Sequence, residues 1–153
     1  MNEFKKILYI GSDHAGFNLK EKLKIHFDIK LINFEDVGIY NKFDFDYPII
    51  AEILTKKILE HKRNLGILIC GTGIGMCISA NKIKKVRAAV CFDEDYSELA
   101  RKHNNINVLC LGARFISSEL AIKIVEVFLN TKFDGGRHSK RLKLISKMEN
   151  KHI

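Results

Sequence analysis

The chain has 153 residues, 46% of them apolar, a size and composition that suit one domain with a substantial core. None of its apolar runs approaches the about 20 residues that a membrane-spanning helix needs. The N-terminal residues are mostly polar and do not resemble a signal peptide. We therefore expect a single domain over residues 1–153, located in the cytoplasm and without a membrane partner.

The net charge of +8 is concentrated near the C-terminus, where residues 132–153 contain seven Lys or Arg and two acidic residues. Such a tail could bind nucleic acid, hold a phosphorylated small molecule or form a solvated basic surface. Aromatic residues are not interleaved with the basic ones to stack on bases. We therefore expect no nucleic-acid partner.

The four cysteines are Cys70, Cys77, Cys91 and Cys110, and no two of them form a C-x-x-C pair. This spacing argues against a zinc site or a thioredoxin-like redox site. Cys91 and Cys110 fall in apolar runs, so we expect reduced core residues in a reducing compartment. We expect neither a metal nor a cofactor.

Short apolar runs alternate with helical patterns along the whole chain. The runs predict strands at 6–10, 31–34, 65–69, 86–92 and 107–112. Helices are predicted at 17–27, from Pro48 to His61, from the glycines after residue 70 to about 82–85, from a cap at Asp93 to about 102, from Ser117 or Ser118 to 129, and from a cap at Ser139 onward. We predict a single three-layer, Rossmann-like α/β domain with a five-stranded parallel sheet and a C-terminal helix.

Residues 67–82 combine an apolar strand, glycines at three alternate positions and the start of a helix. This arrangement points backbone N–H groups at one spot, which attracts a bound phosphate or charge that develops during a reaction. Cys70 lies at the end of the strand, where a thiolate is favoured and can act as a base or nucleophile. The alternative is a buried, inert cysteine beside a tight turn. The spacing matches neither a Walker loop nor the dinucleotide fingerprint.

Polar residues follow the predicted strands, where ligands gather in parallel sheets. They are Asp13 and His14 after the first strand, Cys70 and Thr72 after the third, Arg114 after the fifth, and His103 and Asn104 before the fifth. We expect them to converge on a pocket, with loops 11–16 and 70–75 facing each other if the first and third strands are neighbours. Each residue also has a structural alternative, since Asp13 could cap a helix, His103 could interact with a helix C-terminus and Arg114 could form a surface ion pair.

Arg137 and Arg141 would share one face if residues 137–141 are helical, and two guanidinium groups match a phosphate dianion. The alternative is an exposed basic helix end. Taken together, a thiolate, an amide hole, a histidine and an arginine clamp suit proton transfer next to the carbonyl group of a sugar phosphate.

The chain resembles type B ribose-5-phosphate isomerases, in the family that also contains galactose-6-phosphate isomerase subunits. The resemblance extends over nearly the whole chain. It is carried by Gly-Ser-Asp-His-Ala-Gly at 11–16, Asp-Tyr-Pro at 46–48, Cys-Gly-Thr-Gly-Ile-Gly-Met at 70–76, Ala-Asn-Lys at 80–82, His-Asn-Asn at 103–105, Asn-Val-Leu-Cys-Leu-Gly-Ala-Arg at 107–114 and Gly-Gly-Arg-His at 135–138.

The resemblance implies reversible conversion of ribose 5-phosphate to ribulose 5-phosphate in the pentose phosphate pathway. It implies that Cys70 is the base, that His103 opens the sugar ring and that Thr72 assists. The implied substrate-binding residues are Asp13, His14, Tyr47, Gly71, Gly73, Ile74, Gly75 and Asn104 for the sugar, and Arg114, Arg137, Arg141 and His138 for the phosphate. It also implies a homodimer with sites between subunits, to which the tail 135–153 of the partner contributes, and dimers that could pair into tetramers.

Two positions depart from the family pattern. Met76 stands where one branch of the family has a Glu base, so the presence of Cys70 assigns the chain to the thiolate branch. Ile106 stands where a small residue is expected, which could alter packing beside His103. The alternatives are a subunit of galactose-6-phosphate isomerase, an allose-6-phosphate isomerase or, from a different class, a nucleotide-binding module.

Overall fold

The structure is a computed structural model and describes residues 7–38, 40–41 and 45–151. Strands and helices alternate along these residues. In chain order they are β1 (Leu8–Ser12), α1 (Phe17–Ile29), β2 (Phe34–Asp36), α2 (Tyr47–Leu59), β3 (Leu65–Cys70), α3 (Ile74–Ala80), β4 (Ala88–Val90), α4 (Glu94–Asn104), β5 (Val108–Gly112), α5 (Ser118–Asn130) and α6 (Arg137–Glu149).

The five strands form one parallel sheet in the order β2-β1-β3-β5-β4. The three central strands are apolar and buried along their whole length, as expected for strands covered on both faces. The chain adds β2 on one side of β1 and β3 on the other, so the direction of winding reverses between β1 and β3. The carboxyl ends of these two strands therefore form the crevice where ligands bind in such folds.

Helices cover both faces of the sheet and complete three layers. One core cluster joins the sheet to α1 and α5, and a second joins it to α2 and α3. Cys91 and Cys110 lie in these clusters, and all four cysteines are free thiols. The predicted three-layer α/β fold is confirmed. Among the described helices, none is both long and apolar enough to cross a membrane.

The second strand is the least accurate prediction. Residues 31–33 are not part of a strand, because α1 is capped by Lys30 and Leu31 has a left-handed φ of +54° that strands exclude. The strand begins at Phe34, which pairs with Leu8. Lys6, assigned to the first strand, lies outside the described residues.

Several helix ends also differ from the prediction, including those of α1 at Ile29 and α2 at Leu59. Helix α3 ends at Ala80, before the predicted 82–85, because the Asn81 side chain bonds both backbone groups of Ala88 and turns the chain toward β4. Helix α4 continues through His103 and Asn104, two residues beyond the predicted end at about 102, and is capped by Asn105 in the left-handed conformation. Helix α6 begins at Arg137, two residues before the cap predicted at Ser139.

The caps predicted at Asp93 and Ser117 are confirmed by hydrogen bonds from the amides of Tyr96 and Leu120.

Candidate active site

Two loops meet at the crevice between β1 and β3, as predicted. Ser12 is the register partner of Ile69, and the Asp13 N–H donates to the Ile69 carbonyl at 3.1 Å. A Cβ atom at Gly16 would lie 2.5 Å from that carbonyl oxygen, so only glycine permits this approach of the two loops. The contact thereby brings together the residues predicted after the first strand, Asp13 and His14, and those predicted after the third strand, Cys70 and Thr72.

Cys70 is the last residue of β3 and only 5% exposed. The backbone N–H of Gly73 donates to its Sγ atom at 3.1 Å. Gly73 adopts a φ of +79°, a left-handed conformation that β-carbon sterics disfavour in other residues. The Ile74 N–H lies 3.2 Å from Thr72 Oγ1. Two of the amides expected to form an anion hole are therefore engaged by Cys70 and Thr72 in this structure.

Tyr47 and Arg114 line the same loop. A Cβ atom at Gly75 would lie 2.7 Å from the ring carbons of Tyr47, and one at Gly71 would lie 3.0 Å from the guanidinium carbon of Arg114. Each side chain thus packs directly against a glycine of the loop. The Arg114 N–H also donates to the Gly71 carbonyl at 3.1 Å, which ties the end of β5 to the glycine turn.

Asp13 and His14 begin the loop after β1. The Asp13 carboxylate is 6% exposed and accepts a hydrogen bond from the Gly16 N–H at 3.0 Å. This bond closes the turn before α1, whose N-cap is Gly16 and has no side-chain cap bond, so the structural alternative of a helix cap at Asp13 is wrong. His14 is exposed at the mouth of the crevice, in the same loop.

A second group of predicted residues lies elsewhere, which corrects the expectation that all of them converge within one chain. Helix α4 brings His103 and Asn104 back to the start of β5, where the Asn107 N–H bonds the Arg87 carbonyl. Cys70 pairs with Gly112 at the other end of β5. The strand that separates them, β5, has five residues. Its first and last Cα atoms are four steps apart, or about 13 Å at roughly 3.3 Å per step.

This second group is assembled around two histidines. The rings of His103 and His138 are stacked with centroids 4.2 Å apart and planes 7° from parallel. Burial lowers the pKa of His138, and the neighbouring His103, Arg137 and Arg141 lower it further. Arg137 and Arg141 both lie in the first two turns of α6, as their predicted helical spacing requires. Both side chains are exposed.

Asp134 also belongs to this group, although it is not among the site residues predicted from the sequence. Its carboxylate and the nitrogens of His103 and His138 lie within 4.8 Å of one another. The lone pairs of two stacked imidazole rings lie in separate, nearly parallel planes, so they do not converge on one ion as a tetrahedral zinc site requires. The sequence signal was the acidic residue directly before Gly-Gly-Arg-His, which becomes informative only once His138 is known to contact His103.

The two departures from the family pattern are both buried. Met76 is fully buried in the core cluster that includes Cys70, and Ile106 is 2% exposed in the other core cluster. Ile106 therefore packs into the interior of the domain beside the last turn of α4.

Comparison with known proteins finds relatives that match nearly the whole chain. The chain is 45% identical over 145 residues to a probable ribose-5-phosphate isomerase B of Mycoplasma genitalium, covering 93% of this chain and 95% of the relative. It is 39% identical over 145 residues to the ribose-5-phosphate isomerase B of Escherichia coli K12, covering 95% and 97% of the two chains.

The fold also matches a solved structure. The crystal structure of the Mycoplasma genitalium ribose-5-phosphate isomerase B with bound ribulose 5-phosphate superposes with a TM-score of 0.91 at 43% identity, covering 95% of this chain and 97% of that chain. The sequence profile of the Ribose/Galactose Isomerase family matches residues 8–145. The chain belongs to the ribose/galactose isomerase family.

Proposed function

We propose that this protein is a ribose-5-phosphate isomerase that interconverts ribose 5-phosphate and ribulose 5-phosphate. The observation that carries the proposal is the Cys70 sulfur, held 3.1 Å from the Gly73 amide at the carboxyl end of β3, in a chain of this family. The bound ribulose 5-phosphate in the Mycoplasma genitalium relative supports the same substrate class. We place the activity in the cytoplasm and in the pentose phosphate pathway, where the four free thiols suit a reducing compartment.

In the proposed reaction, His103 first opens the sugar ring. A proton moves from the O1 hydroxyl to the ring oxygen as the bond between C1 and the ring oxygen breaks. The Cys70 thiolate then takes the C2 proton, and the electron pair moves into an enediolate. The O2 proton then moves to O1, and return of the first proton from Cys70 to C1 leaves a carbonyl group at C2, which gives the ketose. A positioned acid or base of this kind contributes roughly 10²–10⁴ in rate.

The loop amides supply the anion stabilisation. The Gly73 N–H, which donates to the Cys70 sulfur, faces the place where the proton is transferred. Thr72 assists beside it, and loss of one such donor costs roughly 10²–10³ in rate. Asp13, His14, Tyr47, Ile74 and Asn104 complete the proposed sugar site, together with the backbone of Gly71, Gly73 and Gly75.

The phosphate is assigned to Arg114, Arg137 and Arg141, with His138 beside them. Among the described residues, none of these three guanidinium groups forms a salt bridge with a carboxylate. Unpaired guanidinium groups are free to form charge-assisted, partly bidentate bonds with a phosphate dianion.

The active site is proposed to form between two subunits of a homodimer. Cys70 and Arg114 lie at one edge of the sheet, and His103, Arg137 and Arg141 are carried by the other end of the domain. A second copy can bring its own His103 group to the Cys70 crevice, with the tail 135–153 reaching across. Exposed apolar residues on α6, namely Leu144, Ile145 and Met148, suit such an interface. Pairing of dimers into tetramers is an extension of the same proposal.

The first test is isomerase activity on ribose 5-phosphate in the presence of EDTA, for the wild type and for Cys70→Ser. We expect wild-type activity to survive the chelator and kcat of Cys70→Ser to fall roughly 10²–10⁴-fold. Cys77→Ser is the matched control, because Cys77 lies on the adjacent helix outside the proposed site. An active Cys70→Ser variant would remove Cys70 as the base, and an inactive, folded wild type would overturn the proposed substrate.

Mixing subunits tests the shared site. Cys70→Ser and His103→Asn homodimers are each expected to be nearly inactive. Random exchange at equal concentrations gives heterodimers in which one of the two sites is intact, so about a quarter of wild-type activity should return. If no activity returns although exchange is shown by mass spectrometry, the two residues act within one chain.

Two substrates remain as alternatives within the family, galactose 6-phosphate and allose 6-phosphate. The presence of Cys70, His103 and the three arginines in one chain favours a self-sufficient homodimer over one subunit of a mixed galactose-6-phosphate isomerase. Assays with the three sugar phosphates rank them. A thermal shift with AMP or NAD, and none with sugar phosphates, would favour the nucleotide-binding module instead.

A further inference from the structure

The contact between His103 and His138 joins two helices that are distant in sequence. His103 lies in the last turn of α4, and His138 lies in the first turn of α6 with 7% of its surface exposed. Their rings are 4.2 Å apart and nearly parallel. The ring of His103 therefore cannot rotate about χ2 without losing this face-to-face contact, so His138 acts as a flat support for it.

Asp134 is fixed beside the same ring by its backbone. Its N–H donates to the Lys102 carbonyl at 3.0 Å, which places Asp134 next to the residue before His103. Its carboxylate lies within 4.8 Å of the nitrogen atoms of both histidines. A carboxylate at this position selects the imidazole tautomer that directs a proton toward it, either directly after a small side-chain rotation or through one water.

The surroundings of His138 argue against a main role in holding phosphate. Burial and the nearby positive groups lower the pKa of His138, which favours the neutral ring at neutral pH. A neutral imidazole adds little to the attraction of a dianion that Arg137 and Arg141 already provide. This differs from the phosphate-binding role that the resemblance implies for His138.

We propose that Asp134 and His138 are positioning residues for the ring-opening step, in which Asp134 sets the tautomer of His103 and the stacked ring of His138 sets its orientation. The inference rests on the proposed function, because it deepens the role that is given there to His103. When one His103 nitrogen directs its proton toward Asp134, the other nitrogen is unprotonated and faces the sugar, where it can take the O1 proton and pass it to the ring oxygen. A freely rotating His103 would meet this condition only part of the time.

The test combines kinetics with nitrogen NMR of the histidine rings, assigned with a His103→Asn variant. Asp134→Asn keeps the size of the side chain and removes the charge, and it should lower kcat about tenfold with little change in KM. It should also shift the His103 nitrogen resonances toward the other tautomer. Asp134→Glu restores the carboxylate and should recover most of the loss. Lys132→Ala, an exposed change in the same segment, is the control.

His138 is tested by comparing two replacements. His138→Ala removes the supporting ring, and His138→Phe keeps a flat ring without nitrogen atoms. Support by stacking predicts that kcat falls further in His138→Ala, by about tenfold, than in His138→Phe. A phosphate-binding role predicts that both raise KM equally and leave kcat alone, which would overturn the assignment of His138.

The outcomes separate this inference from the proposed function. The NMR tautomer of His103 is read without substrate, so it reports on Asp134 even if ribose 5-phosphate proves not to be the substrate. An active wild type together with an Asp134→Asn variant of unchanged kcat and unchanged His103 resonances would overturn the inference and leave the proposed function intact.

Discussion

The Lys20 ammonium lies 2.8 Å from both carboxylate oxygens of Asp36, and the Lys20 side chain is completely buried. Lys24 donates to the same carboxylate at 2.8 Å, and so does the Gly38 N–H at 3.0 Å. These bonds attach the end of β2 to α1 just before the chain continues toward Tyr47. A buried lysine of this kind is tolerated only while its partner is ionised.

Replacing Asp36 with Asn should therefore destabilise the fold. The change removes the nearest negative charge from the buried Lys20 ammonium, whose pair with Glu21 is longer at 3.7 Å, and this loss costs about 3 kcal/mol or more of unfolding free energy. Urea denaturation at neutral pH measures the loss. Glu52→Gln breaks the exposed Lys56–Glu52 pair on α2 and should change stability by less than about 0.5 kcal/mol. Equal effects of the two changes would contradict the structural role of the Lys20–Asp36 pair.

The Lys20–Asp36 pair should also make the free energy of unfolding depend on pH in the acidic range. Burial by itself would raise the pKa of Asp36, but hydrogen bonds from Lys20 and Lys24 outweigh burial and hold the pKa below its usual 3.8. The pKa is lower in the folded state than in the unfolded state. The stabilisation is therefore complete well above pH 3.8 and is lost as pH falls through the folded-state value.

Urea denaturation of the wild type and Asp36→Asn between pH 7 and pH 3 checks this sign. The stability difference between the two proteins should be constant near neutral pH and should shrink in the acidic range. A difference that stays constant down to the lowest pH at which both proteins fold would refute the linkage to Asp36.

Gly73→Ala should impair catalysis more than folding. The φ of +79° at Gly73 costs another residue roughly 1–2 kcal/mol, and an added Cβ would lie 3.1 Å from the Leu111 backbone. Relief of this strain moves the amide that donates to Cys70. We expect kcat to fall about 10²-fold, as for loss of an anion-hole donor. Lys84→Ala, in the exposed turn after α3, should leave kcat unchanged, and a normal kcat for Gly73→Ala would argue against the role of this amide.

Cys77 should be the most readily alkylated of the three cysteines outside the proposed site. A hydrogen bond from Cys110 lowers the pKa of Cys77 to about 7, assisted by the Val90 backbone and Asn81 and opposed by burial. Burial raises the pKa of Cys91 to about 12 and that of Cys110 well above its usual value. Iodoacetamide labelling in a Cys70→Ser background should therefore modify Cys77 first.

The rate of that labelling should rise about tenfold between pH 6 and pH 8, because the thiolate fraction rises through the pKa near 7. Peptide mass spectrometry after timed quenching measures the rate at each cysteine. A rate at Cys77 that rises about 100-fold over this range, as for a thiol with the ordinary pKa of 9.0, or that equals the rate at Cys91, would show that the thiol is not activated.

Local patterns in the sequence were sufficient to predict the α/β class, most of the elements and the residues at the glycine turn. Strands β1, β3 and β5 are continuous apolar runs because both of their faces are buried. Such a run can be recognised from the residue types alone, without knowing which strands pair. The helix caps at Asp93 and Ser117 are local hydrogen bonds and were predicted correctly. β2 was misplaced because its three residues are defined by pairing with β1, and the preceding Leu31 has the backbone conformation of a turn.

The strand order and the division of the proposed site were decided only by the tertiary structure. The order β2-β1-β3-β5-β4 depends on which strand edges pair, a long-range choice that no local pattern encodes. The same applies to the stack of His103 on His138 and to the place of Asp134 beside it, since residues more than 30 positions apart meet there only after α4 and α6 pack. The sequence by itself determined which chemical groups the protein carries. The packing of the sheet and helices determined that Cys70 and His103 lie at opposite ends of β5, because a parallel strand must return through a helix to the edge where it began.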